Sequence, residues 1–126
     1  MYSPELLDHF EHPRNVGELE EPDVIAETEN PACGDIMRLM LKFAHGRIEE
    51  VRYKTRGCVA SIACGSALTD MIAGKSLREA EAVTREALLT KIGGLQNESM
   101  HASYLAIDCL RAALKKAVQL QRGISG

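Results

Sequence analysis

The spacing of apolar residues changes once along this 126-residue chain, and that change decides the class of fold. Between about Val24 and Arg56, apolar and polar residues alternate, as they do in a strand with one buried face. After Gly57 the sequence becomes helical in character, and in its last stretch the apolar residues recur every three or four positions, which is the period of an amphipathic helix. Strands followed by helices predict an α+β fold: a small three-stranded antiparallel sheet with helices packed on one face.

Short local signals predict where the individual elements begin and end. Ser3-Pro4-Glu5 is typical of a helix start, and His45-Gly46 predicts a tight hairpin between two strands. Later helices are expected at about Cys58 to Ala73, from Ser76, from Thr84 to Gly93, and over a long final stretch from about Ser99 to Gln121. Because no repeat or linker interrupts these elements, residues 1–126 are expected to form a single domain.

Charge and hydropathy exclude several classes of partner. The chain has 15 basic and 18 acidic residues and a net charge of −3, so it lacks the basic excess that binds nucleic acid. No apolar run approaches the ~20 residues that span a bilayer, which argues against a membrane protein. The N-terminus is charged from Glu5 onward and is unlike a signal peptide, so a cytoplasmic location is expected. In that compartment the 4 cysteines favour metal or catalytic roles over disulfides.

Three segments carry residues typical of a soft-metal site. Cys33 and Asp35 lie in a Pro- and Gly-containing turn, and extended backbone there would point both side chains to the same side. Cys58 follows Gly57 at a predicted helix start, where the helix dipole favours a thiolate. His101 lies in the first turns of the long helix, within reach of the sheet edge.

The remaining cysteines and histidines have simpler interpretations. Cys64 lies six residues after Cys58 and faces away from it on the helix, and Cys109 lies midway along the last helix. Both are expected to be buried free cysteines. The other histidines are expected at the surface: His9, His12 and His45.

Four stretches of the sequence resemble the IscU/NifU-type iron–sulfur cluster assembly scaffolds. They are LLDHFEHPRNVGEL, NPACGDIMRLMLKF, YKTRGCVASIACGSALTDMIAGKSLREA and HASYLAIDCLRAALKKA. The resemblance implies a small antiparallel sheet packed with helices, and a site made of Cys33, Asp35, Cys58 and His101 that holds a transient [2Fe–2S] cluster. It also implies a scaffold and not an enzyme, with a cysteine desulfurase as sulfur donor and iron–sulfur acceptor proteins as recipients.

The sequence departs from that family in two places. IscU-type members have a third cysteine directly after the histidine, whereas this chain has His101-Ala102. The chaperone-recognition segment Leu-Pro-Pro-Val-Lys is replaced by residues 95–99, LQNES, which counts against docking to an Hsp70-type chaperone. Three alternatives follow: a cluster shared between two chains of a homodimer, a homologue that binds a Zn or Fe ion or accepts sulfur without building clusters, or a purely structural interaction module.

Overall fold

Five α-helices accompany a three-stranded sheet in the computed structural model, which describes residues 1–125 and their side chains as far as Gln121. In chain order the elements are α1 (Pro4–Glu11), β1 (Val24–Glu29), β2 (Ile36–Ala44), β3 (Arg47–Arg56), α2 (Val59–Ile72), α3 (Leu77–Glu81), α4 (Arg85–Lys91), a 3₁₀ turn (Asn97–Ser99) and α5 (His101–Ser125). The predicted α+β class and long final helix are confirmed. Gly126, the last residue of the predicted domain, lies outside the described residues. None of the described helices has the length and apolar character needed to cross a membrane.

The sheet is a simple antiparallel meander in the order β1-β2-β3. His45 and Gly46 form the turn between β2 and β3 with φ of +55° and +75°, the conformation of a two-residue hairpin turn. Ala26, Leu39 and Tyr53 are aligned across the three strands on the buried face. Met40 is an exception to the alternation, because it points to the outer face and is nevertheless only 2% exposed.

The core lies between the buried face of the sheet and helices α2 and α5. Helix α2 is built mostly from small residues, which lets its backbone approach the sheet closely. A Cβ atom added at Gly65 would lie 2.4 Å from Cε2 of Tyr53, so only glycine fits there without displacing the ring. The Tyr53 hydroxyl donates to the carbonyl of Ile62 at 2.7 Å, which fixes the ring against the helix.

Local capping interactions set several helix starts, as the sequence predicts. The Ser3 hydroxyl accepts from the N–H of Leu6, and Ser76 forms a full capping box with Glu79. Thr84 caps α4 through its side-chain hydroxyl, which accepts from the N–H of Ala87. Helix α5 begins at His101, two residues later than expected, because the preceding residues form the 3₁₀ turn instead.

His9 is buried, so its predicted surface position is wrong. Its side chain lies between α1 and α2, where Nδ1 is 2.8 Å from the Ser66 hydroxyl. The N–H of Arg14 donates to the same hydroxyl at 2.9 Å. The contact with Ser66 supplies a polar partner that makes burial of the imidazole tolerable. The other two histidines, His12 and His45, are exposed as predicted.

We expect His9 to make the fold less stable as the solution becomes acidic. Burial has the largest effect and lowers the pKa of His9 below its ordinary value of 6.5. The charges of Arg14 and Lys91 also lower this pKa, whereas those of Asp70 and Asp8 raise it. The unfolded chain therefore takes up a proton at a higher pH than the folded chain, so stability falls as the pH drops below 6.5. Urea unfolding at about pH 7.5 and about pH 5.5 measures this loss. The loss should shrink in His9→Asn, and an equal loss in both proteins would assign it to another group.

Candidate metal centre

The turn between β1 and β2 positions Cys33 and Asp35 at one end of the sheet. The side chain of Asn30 accepts from the N–H of Ala32 at 2.8 Å, and the carbonyl of Asn30 accepts from the N–H of Gly34 at 2.7 Å. Gly34 has a φ of +77°, a conformation that favours glycine. The turn exposes Cys33 and places Asp35 directly before β2.

Asp35 caps helix α2 from a different part of the chain. Cys58 is the residue at the N-cap position of α2, and its own side chain makes no capping hydrogen bond. Oδ2 of Asp35 accepts from the N–H of Cys58 at 3.2 Å and from the hydroxyl of Ser61 at 2.7 Å. A Cβ atom at Gly57 would lie 2.5 Å from Cγ of Asp35, so glycine at that position leaves room for the carboxyl group.

These hydrogen bonds keep Asp35 ionised. Burial raises the pKa of Asp35, but the hydrogen bonds from Ser61 and Cys58 outweigh that effect and hold the pKa below its usual value. The side chain is 12% exposed. Asp35 is therefore a carboxylate at neutral pH, which is the form that binds a metal ion.

His101 completes the cluster from the first position of α5. Its Nε2 atom lies 3.7 Å from Oδ2 of Asp35 and 3.8 Å from Sγ of Cys58. Ligand atoms of Cys33, Asp35 and His101 all lie within 4.8 Å of one another. Cys58 stands at the edge of this group, in contact with His101 on one side and with the Ser61 hydroxyl, 3.4 Å from Sγ, on the other.

The donor set suits a tetrahedral metal ion. Two thiols, an imidazole and a carboxylate are ligands that Zn²⁺ accepts, and thiolates with imidazole also suit iron. All four side chains come from residues predicted to form the site. The structure thus brings Cys33, Asp35 and His101 into one group and places Cys58 beside it.

The other two cysteines are buried and lie outside this cluster, as predicted. Cys64 and Cys109 are both fully buried. Burial raises the pKa of the Cys64 thiol to about 12 and that of Cys109 to about 11, so neither is ready to bind metal as a thiolate. The Cys109 thiol faces the sheet, with Sγ 3.4 Å from the carbonyl oxygen of Met37 and 3.7 Å from that of Ala26. Ala102, which stands at the position of the missing third cysteine, is fully buried.

Ser61 and Gly57 contribute to the site but were not identified from the sequence. Both act on Asp35, one by a hydrogen bond and one by leaving space for it. Spacing was the one sequence signal that could have found Ser61, because it lies three residues after Cys58 and therefore on the same side of the first helical turn.

Comparisons with known proteins agree with this architecture. A family model described as the NifU-like N terminal domain matches residues 1–122. The chain is 45% identical over 114 residues to the iron–sulfur cluster assembly scaffold protein IscU 1 of Archaeoglobus fulgidus, covering 90% of this chain and 74% of that protein. It is 40% identical over 118 residues to IscU of Azotobacter vinelandii, covering 90% and 91% of the two chains. The crystal structure of a nitrogen-fixing NifU-like protein from Brucella abortus has the same fold, with a TM-score of 0.78 at 16% identity and coverage of 93% and 94%.

Proposed function

This chain belongs to the family of NifU-like N-terminal domains, and we propose that it is an iron–sulfur cluster assembly scaffold, as its relatives are named. It receives iron and sulfur, holds them while a cluster forms, and passes the cluster to an acceptor protein. The protein acts as a scaffold and not as an enzyme, because the cluster leaves as cargo. One observation carries the proposal: ligand atoms of Cys33, Asp35 and His101 lie within 4.8 Å of one another, with Cys58 beside His101.

The ligand set we propose for the cargo is Cys33, Asp35, Cys58 and His101. Stable [2Fe–2S] clusters are usually held by thiolates, although histidines replace two of them in Rieske centres. This set has 2 thiols among its ligands, so a [2Fe–2S] cluster would be held less firmly than in an all-cysteine site. Weak retention suits a scaffold, which must release its cluster.

Sulfur would come from a cysteine desulfurase that carries a persulfide. The thiolate of Cys58 or Cys33 attacks the outer sulfur of that persulfide, a new S–S bond forms on the scaffold, and the donor cysteine leaves as a thiolate. A thiol reductant would then supply the electrons that convert the transferred sulfur into the sulfide of a cluster. Exposure supports both candidates, because Cys33 is exposed and Cys58 is partly exposed.

We propose that the chain works in the cytoplasm as a single domain. If two chains share one cluster, the protein would be a homodimer while the cluster is bound.

Ala102 favours a second candidate function. Without a third cysteine, the remaining ligands match a tetrahedral Zn²⁺ site closely. In this alternative the chain is a zinc-binding or sulfur-accepting homologue that no longer assembles clusters.

Anaerobic reconstitution tests the scaffold function. The wild-type protein and Ala102→Cys are each incubated with ferrous iron, cysteine and a cysteine desulfurase, and absorption spectra are recorded with iron and sulfide analysis. We expect the wild type to gain a visible iron–sulfur chromophore with matching iron and sulfide. If the wild type holds only zinc or bare iron while Ala102→Cys gains the chromophore, the alternative function is the right one.

A further inference from the structure

A single buried hydroxyl links two of the proposed ligands. Ser61 lies in the first turn of α2 and is fully buried. Its Oγ atom lies 2.7 Å from Oδ2 of Asp35 and 3.4 Å from Sγ of Cys58. A serine hydroxyl has one hydrogen to donate, and the short distance assigns it to the carboxylate.

From this geometry we propose that Ser61 is a positioning residue that holds the carboxyl group of Asp35 in its ligand position. The inference rests on the proposed metal site. Oδ2 already accepts two hydrogen bonds, from Ser61 and from the N–H of Cys58. The same oxygen lies 3.7 Å from Nε2 of His101, so these two hydrogen bonds hold it next to another candidate ligand.

The carboxyl group of Asp35 serves both the helix and the candidate site. Its Oδ2 atom caps α2, whose N-cap residue makes no capping hydrogen bond of its own, and the same atom lies next to His101. Gly57 blocks no part of this arrangement, but a larger residue there would push the carboxyl group away. Without the Ser61 hydroxyl, Asp35 loses one of its hydrogen bonds, and its carboxyl group can rotate away from the ligand position. Ser61 therefore acts on the metal through Asp35, without touching the metal itself.

Cobalt titration of the metal-free protein tests this inference, because Co²⁺ bound to thiolates gives visible bands that report both affinity and ligand geometry. In Ser61→Ala we expect affinity to fall by between about 10-fold and about 100-fold, the range seen when partners of metal ligands are removed. Ser103→Ala is the matched control, because Ser103 is also fully buried but donates to the main-chain carbonyl of Met100. It should bind Co²⁺ within about 2-fold of the wild type.

A double-mutant cycle shows whether Ser61 works through Asp35. We expect Ser61→Ala to change affinity by less than about 2-fold when it is added to Asp35→Ala, because the group that it positions is already gone. A full effect of Ser61→Ala in the Asp35→Ala background would overturn the inference, as would wild-type affinity in Ser61→Ala alone. If the wild type fails to bind Co²⁺, the proposed site itself is wrong and this inference falls with it. Urea unfolding of the metal-free variants shows that each remains folded.

Discussion

Replacing Cys58 by serine should weaken zinc binding by more than about 100-fold, because a soft thiolate ligand is exchanged for a weakly binding hydroxyl. The metal-free fold should not suffer. Cys58 occupies the N-cap of α2, where its side chain makes no capping bond and where serine is a preferred residue. We therefore expect the urea midpoint of the metal-free variant to equal or exceed that of the wild type. Competition with a zinc chelator measures the affinity.

Cys64→Ser is the matched control, and it should show the opposite behaviour. Cys64 is fully buried among the apolar side chains of the core. Placing a hydroxyl there is expected to cost about 1–3 kcal/mol of stability while zinc affinity stays the same. If Cys64→Ser abolished zinc binding and Cys58→Ser did not, the assignment of the site would be wrong.

Gly65→Ala should destabilise the protein, although alanine is the better helix former. Alanine gains up to about 1 kcal/mol over glycine in a helix. The new methyl group would, however, lie 2.4 Å from Cε2 of Tyr53, whose ring is held by its hydrogen bond to Ile62. Overpacking of this kind typically costs about 1–3 kcal/mol, so we expect a net loss of up to about 2 kcal/mol in urea unfolding.

The clash itself can be tested by a second change. Tyr53→Leu removes the ring atoms that meet the new methyl group, so the double variant should be more stable than the sum of the two single effects predicts. We expect a coupling of at least about 1 kcal/mol. Simple additivity would show that Gly65 is required for some reason other than the Tyr53 ring.

The helix starts and the sheet follow from the sequence because their causes are local. Ser3, Ser76 and Thr84 each cap a helix through an N–H three residues later, so each signal is contained in a few letters. The hairpin at His45-Gly46 and the alternation of its strands are similarly short-range. The local sequence is therefore enough to predict these helix starts and the hairpin.

Long-range polar contacts explain what the sequence could not reveal. His9 is buried because it meets Ser66, which lies 57 residues away, and nothing near His9 indicates that partner. Ser61 and Asp35 are separated by 26 residues and are brought together by the packing of α2 beside the β1–β2 turn. Local signals and the family resemblance predict the four residues of the candidate site. They do not predict that the Ser61 hydroxyl holds Asp35 in place. The role of the four residues as ligands stays a prediction for the zinc and cobalt experiments.

The candidate site joins three stretches of chain that are far apart in sequence: the turn before β2, the start of α2 and the start of α5. An ion bound by the proposed ligands would therefore be a cross-link that closes two long loops of polypeptide, one from Asp35 to Cys58 and the next from Cys58 to His101. A closed loop has less conformational entropy to gain when the surrounding structure opens. The protein with an ion bound would therefore resist local opening. In the proposed function, an acceptor that displaced the Cys58 or the His101 ligand would free the start of α2 or of α5 from this cross-link.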